Sequence, residues 1–112
     1  MEQKPQTAIE ILKSLESRFI VEKAPNIEII YHFELEGNSG GNFTVTIKDN
    51  KCIVTEGLQG TAKCIVKAKA TDYEDLELGR SNAQMAFMMG KIKVTNIGSM
   101  LKFIDMFKKL YD

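Results

Sequence analysis

Apolar residues recur at Ile9, Leu12, Leu15, Phe19 and Ile20, with Glu10, Lys13, Glu16 and Glu22 filling the other side, a spacing that predicts an amphipathic helix. Thr7-Ala8-Ile9-Glu10 reads as a capping box at its start, and Pro25 sets its limit because the residue before proline is pushed out of the helical region. The period changes to two at Ile27. Ile27, Ile29, Tyr31, Phe33 and Leu35 alternate with Glu28, Ile30, His32, Glu34 and Glu36, which predicts a half-buried strand. After the turn at residues 37–41, Phe43, Val45 and Ile47 alternate with Thr44, Thr46 and Lys48, and Asp49-Asn50 turns the chain into a third strand, Cys52-Ile53-Val54-Thr55. Cys64-Ile65-Val66 opens a fourth, with Lys63, Lys67 and Lys69 on one side. The short turns imply antiparallel pairing for at least the first three strands.

The rest of the chain returns to helix in pieces. Thr71-Asp72-Tyr73-Glu74 reads as a second capping box, opening a two-turn helix that Gly79 stops, and Ser81-Asn82-Ala83-Gln84 reads as a third, opening a helix to Met89. Lys91-Ile92-Lys93-Val94 alternates as a fifth strand. From Ile97, residues Met100, Leu101, Ile104, Phe107 and Leu110 recur at helical spacing, and Phe103, Met106 and Tyr111 widen that stripe. The sum is an α+β fold with one sheet covered by helices on one face, in a single domain over residues 1–112.

Composition narrows the function more than it suggests one. With 112 residues and 44% apolar content the chain can bury a core, and its 15 basic and 15 acidic groups leave no net charge to attract nucleic acid. Residues 1–60 carry six basic and nine acidic groups and residues 61–112 nine and six, a polarity too small to imply a polyanionic partner. No apolar run reaches the ~18 residues of a membrane span. The first residues carry no signal-peptide pattern, so the expected compartment is cytoplasmic. Cys52 and Cys64 are too few for a disulfide scaffold or a thiolate zinc site, and are expected as buried, reduced thiols.

Candidate chemistry is sparse. His32 is the only histidine and sits among Glu28, Glu34 and Glu36 on the polar side of its strand, so it is expected in solvent. No nucleophile elbow or phosphate-cradling loop accompanies it, no metal or cofactor is implied, and the acidic run Asp72, Glu74, Asp75, Glu77 reads as a solvated helix face. An enzyme is not expected. The unusual stretch is residues 83–89, Ala-Gln-Met-Ala-Phe-Met-Met, which is apolar around its whole circumference. Such a helix is covered on more than one side, either sandwiched between the sheet and the last helix or bordering a cavity for an apolar ligand.

The run from Gly79 to Val94, Gly-Arg-Ser-Asn-Ala-Gln-Met-Ala-Phe-Met-Met-Gly-Lys-Ile-Lys-Val, resembles the signature of the sterol carrier protein type 2 domain, the non-specific lipid-transfer family. Asp72-Tyr73-Glu74-Asp75-Leu76 is similar to the family's preceding helix, and the likeness extends over essentially the whole chain. One departure is Asn96-Ile97, where members commonly carry Gly-Asn or Gly-Asp; asparagine tolerates the left-handed backbone of such a turn. The resemblance implies a mostly antiparallel, twisted, five-stranded sheet in the order 3-2-1-4-5, on which Cys52 and Cys64 are not neighbours, and an apolar tunnel between sheet and helices.

The ligands so implied are fatty acids, fatty acyl-CoA, phospholipids or sterols, bound without covalent chemistry. The tunnel wall is expected from Phe33, Met85, Phe87, Met88, Ile92, Val94, Ile97, Met100, Leu101 and Ile104. Lys91, Lys93 and Lys102, with Lys108 and Lys109, are candidates for a lipid headgroup or for a solvated face. A soluble carrier, monomeric by default and meeting membrane surfaces transiently, is the reading this favours. The alternative is a non-catalytic accessory or scaffold domain acting through protein–protein contacts in lipid or quinone metabolism.

Overall fold

The computed structural model describes residues 7–38 and 40–110. Helix α1 (Ala8–Arg18) starts on the expected capping box: the Thr7 hydroxyl accepts from the Glu10 amide, and the Glu10 carboxylate accepts from the Thr7 amide at 3.1 Å. Its buried stripe is Ala8, Ile11, Leu12 and Leu15. A single 3₁₀ turn (Val21–Lys23) leads into β1 (Ile29–Glu36), β2 (Gly41–Lys48) and β3 (Lys51–Glu56), followed by β4 (Cys64–Lys69). Helices α2 (Ala70–Glu77) and α3 (Ala83–Met88), strand β5 (Ile92–Val94) and helix α4 (Ile97–Asp105) complete the order.

The sheet runs β3-β2-β1-β4-β5. Pairings β1–β2, β2–β3 and β4–β5 are antiparallel and β1–β4 is parallel, so the sheet is mixed but mostly antiparallel. Tyr31, Phe33, Leu35, Phe43, Val45, Ile47, Val66 and Ala68 alternate onto the helix-covered face. The core lies between that face and the buried stripes of α1, α2 and α4. Cys52 and Cys64 are both buried, on strands that two others separate.

The same strand order corrects the expectation for His32. A chain leaving the edge strand β3 to reach β4 must pass over β2 and β1, and residues 57–63 do so on the face away from the helices. The Thr44 hydroxyl donates to the Gly57 carbonyl (2.7 Å) and accepts from the Gln59 amide (2.9 Å), and the Lys63 amide donates to the Ile30 carbonyl (2.8 Å). His32 is buried beneath this strap with Nε2 2.8 Å from the Gln59 carbonyl. A carbonyl can only accept, so Nε2 carries the proton. A polar position on an alternating strand faced a crossing segment where solvent was expected.

Three helix boundaries also differ. Helix α2 begins at Ala70 with no side-chain cap, so Thr71 does not open it. The Glu74 carboxylate reaches across to the Ala8 amide at 2.8 Å and so caps α1 instead. Helix α3 is capped by Asn82, not Ser81, through bonds from the amides of Gln84 and Met85. Helix α4 stops at Asp105, because Phe107 pairs with Phe19 as an isolated antiparallel bridge, with the Lys108 amide donating to the Arg18 carbonyl. Asn96 stands in extended backbone (φ −148°) and caps α4 through the Ser99 amide, so this turn uses no left-handed residue there. Tyr111 lies outside the described residues.

Candidate functional site: a cationic, half-lined cavity under the last helix

A cavity of about 530 Å³ lies between α1, the α2–α3 turn and the end of α4. Its apolar side is Leu15, Leu76, Ala83, Phe103, Ile104 and Phe107, and its polar side includes Arg18, Glu77, Arg80, Lys108 and Lys109. Volume and mixed lining both fall in the range of small-ligand sites. Four cations against one carboxylate give the lining a net charge of +3.

Local sequence explains each wall. The α2–α3 turn is tight because Gly79 takes the left-handed backbone (φ +78°) that ends α2, with the amides of Arg80 and Ser81 donating back to the Asp75 carbonyl. Arg80 reaches Asp75 at 3.5 Å on the surface. On the inner wall Phe103 sits 4.8 Å from Tyr31, 5.3 Å from Phe33 and 4.8 Å from Phe107 between ring centroids, so the cavity floor is continuous with the aromatic core.

Arg18 organises the closed end, and its sequence context carried little sign of it. It is only 9% exposed. Its Nε donates to Ser14 Oγ (3.0 Å), Nη1 to the Lys108 carbonyl (2.9 Å), and Nη2 to the Ile11 carbonyl (3.3 Å) and Glu77 Oε2 (3.2 Å). The Tyr73 hydroxyl donates to the same Glu77 oxygen at 3.1 Å. Burial first, and then the Glu77 carboxylate, push the Tyr73 phenol well above its ordinary value, so it stays neutral and a donor. The cation at the last turn of α1 thereby ties α1, α2 and the C-terminal segment together. The one early hint was an arginine at the end of a helix, where cations are common for dipole reasons alone.

The ten residues expected on a tunnel wall separate into three groups. Ile104 lines this cavity. Phe33, Ile92 and Met100 are buried in the packed core, and Phe87 and Val94 are partly buried against it. Met85, Met88, Ile97 and Leu101 are exposed. Helix α3 is therefore not sandwiched, and only its first residue, Ala83, borders the cavity: Ala86 is its only buried residue, and Met85, Met88 and the following Met89 face outward. A six-residue helix presents too short a side to be covered twice. Of the lysines, Lys108 and Lys109 border the cavity, Lys91 and Lys93 lie on a separate hollow with Lys67 and Lys69, and Lys102 is exposed.

Nucleophilic chemistry finds little purchase. Burial and the nearby Glu16 carboxylate push the Cys52 thiol up to about 12, and burial also raises Cys64, so both are protonated at neutral pH. Among the described residues no group of three His, Cys, Asp or Glu side chains converges to hold a metal. No helix of the described residues is long and apolar enough to cross a membrane.

Comparison with known proteins agrees with this architecture. The chain is 32% identical over 86 residues to the hydroxysteroid dehydrogenase-like protein 2 of Xenopus tropicalis, an alignment covering 76% of this chain and 21% of that protein. The chain thus spans about a fifth of the length of the curated relatives it matches. Among solved structures, the sterol carrier protein domain 2 of Helicoverpa armigera superposes with a TM-score of 0.69 at 25% identity, covering 93% of this chain and 88% of that one. Palmitated SCP2L2 of Aedes aegypti gives 0.64 at 16% identity, over 84% and 89%. The inverting sec-alkylsulfatase Pisa1 of Pseudomonas sp. gives 0.78 at 14% identity, over 89% of this chain but 16% of that one. Residues 12–108, nearly the whole described span, match the family described as the SCP-2 sterol transfer family, and the chain belongs to it.

Proposed function

We propose that the chain binds single-tailed anionic lipids, such as a fatty acid or a fatty acyl-CoA, in the cavity under α4. The tail lies against Leu15, Leu76, Phe103, Ile104 and Phe107, and the head faces Arg80, Lys108 and Lys109. The observation that carries this reading is the pairing of an apolar floor with a lining of net charge +3 in one half-enclosed cavity. The palmitated relative from Aedes aegypti supports it by likeness of fold.

The magnitudes are consistent with carriage. Burying about a dozen methylenes gains roughly 10 kcal/mol at ~0.8 kcal/mol each. Association costs of about 4 kcal/mol, the low end of their range, leave about 6, and a screened head contact adds about 1. That places dissociation near 10 μM, tight enough to load and weak enough to release. Hydrophobic attraction has no direction, so the specificity is for a long tail and a negative head. A longer tail reaches Phe33 and Met100 once Phe103 and α4 move outward, which brings the expected inner residues into contact. The chain acts by binding, without covalent chemistry, with no cofactor, and as a module able to serve larger proteins.

Delipidated protein carrying Ile104→Trp, titrated with oleate, gives a saturable emission change in the micromolar range. Lys108→Glu with Lys109→Glu weakens oleate several-fold more than oleyl alcohol. An oleate titration that never saturates up to about 1 mM refutes the reading.

A further inference from the structure

Helix α3 and the residue after it leave Met85, Met88 and Met89 exposed by 53%, 76% and 62%. Three large apolar side chains within five residues are not scattered surface apolarity but a patch, and patches mark contact sites. Met89 borders a separate hollow of about 410 Å³ whose rim holds Lys67, Lys69, Lys91 and Lys93. Lys67 and Lys93 are direct cross-strand partners in the β4–β5 pair. Like charges in that relation repel, while Glu34 and Glu36 are the β1 partners of Lys67 and Lys69 on the other side and leave Lys91 and Lys93 as the outer cations of the sheet edge. Glu36 and Asp72 are the acids of the hollow, two against four. None of the four lysines belongs to an ion pair among the described residues. The outer face of α1 offers the opposite character, with Glu10, Lys13, Glu16 and Ser17 exposed and an acidic balance.

We propose that this α3–β5 face docks on an anionic lipid surface, the methionines entering the headgroup–acyl boundary and the lysines meeting lipid phosphates and carboxylates. Peripheral binding of this type combines buried apolar area with attraction to anionic lipid, and the face supplies both side by side. A bilayer accepts flexible methionine chains in any rotamer, whereas a protein partner would have to order them. The proposal goes beyond the carrier reading and holds whether or not the cavity takes a lipid.

Co-flotation with phosphatidylcholine vesicles doped with phosphatidylserine, beside pure phosphatidylcholine vesicles, tests it. The wild-type chain floats with the anionic vesicles and is released as salt rises through the physiological range. Lys91→Glu with Lys93→Glu weakens that binding by at least about 25-fold, since each lysine near such a surface is worth about fivefold. Met88→Ser with Met89→Ser weakens it as well, Lys13→Glu leaves it unchanged, and a Met88→Trp reporter shifts to the blue only on anionic vesicles. All of these positions are exposed, and far-UV circular dichroism verifies the fold of each variant. Equal flotation with both vesicles, no flotation, or lysine and serine variants that float like wild type overturns the proposal. So does concentration-dependent self-association that Met88→Ser abolishes, which would make the patch a protein contact. Oleate titration without vesicles reads the cavity alone, so the two readings fail separately.

Discussion

Replacing Arg18 with methionine keeps an unbranched stem and removes the guanidinium, and the structure gives the cost. Four hydrogen bonds disappear: those to Ser14 Oγ, the Ile11 and Lys108 carbonyls, and Glu77 Oε2. The Ile11 carbonyl keeps a second donor in the Ser14 hydroxyl at 2.6 Å, and Lys108 is exposed enough for water to replace the lost donor. Glu77 suffers most, because its side chain is only 18% exposed and keeps the Tyr73 hydroxyl as its side-chain donor among the described residues. Removing one partner of a fully buried pair costs about 3–5 kcal/mol, and the partial exposure of Glu77 brings this to about 2–3. Against a total of about 5–15 kcal/mol for a domain, that is readily measured by urea unfolding followed by circular dichroism. Glu77→Gln alone costs about 1–2 kcal/mol, and the double variant costs less than the sum by at least about 1. Because Arg18 also holds the Lys108 carbonyl, the Lys108 amide, bonded to the Arg18 carbonyl at 2.8 Å, exchanges faster with solvent in Arg18→Met. Strict additivity of the two substitutions, or unchanged protection at Lys108, would show that the pair is not a clamp.

Three further outcomes follow from the fold. Burial raises the folded-state values of Cys52 (to about 12) and Cys64, so the native state holds protons that the unfolded chain releases, and stability falls as pH rises above about 9, by ~1.4 kcal/mol per pH unit for Cys52. Cys52→Ala lowers that alkaline slope by about one proton in melts across pH; an unchanged slope is the contrary result. Gly60 stands at φ +72°, and a methyl group in place of its hydrogen would fall 2.8 Å from Ile30 Cδ1, whereas the same group on Gly57 (φ +85°) meets open space. The positive-φ strain is common to both, and the Ile30 methyl end can swing aside, so Gly60→Ala lowers the melting temperature more than Gly57→Ala by only about 0.5 kcal/mol in stability. Equal losses would deny the close approach of the strap to β1. Thr44→Val removes both strap bonds at a cost of about 2 kcal/mol and speeds limited proteolysis within residues 57–63; wild-type digestion rates would show that the strap is held elsewhere.

Periodicity was enough to reveal most elements, because a helix or strand with one covered face writes its period into its own residues. The capping box of α1 and the alternation of β1 and β2 are local facts, and both stand in the structure. The strand order came instead from the family likeness of residues 79–94, since alternation says that a strand has a neighbour without saying which. What covers a face is likewise decided by chain segments far away. His32 is buried by residues 57–63, and Arg18 meets a carboxylate 59 residues on and a carbonyl 90 residues on. Residues 83–89 show the converse: an apolar circumference implied cover, yet the short helix sits at the margin of the helical layer and its methionines stay in water. Local pattern determined which residues prefer to leave water; the long-range path of the chain decided which of them do, because burial requires a partner that no single segment contains.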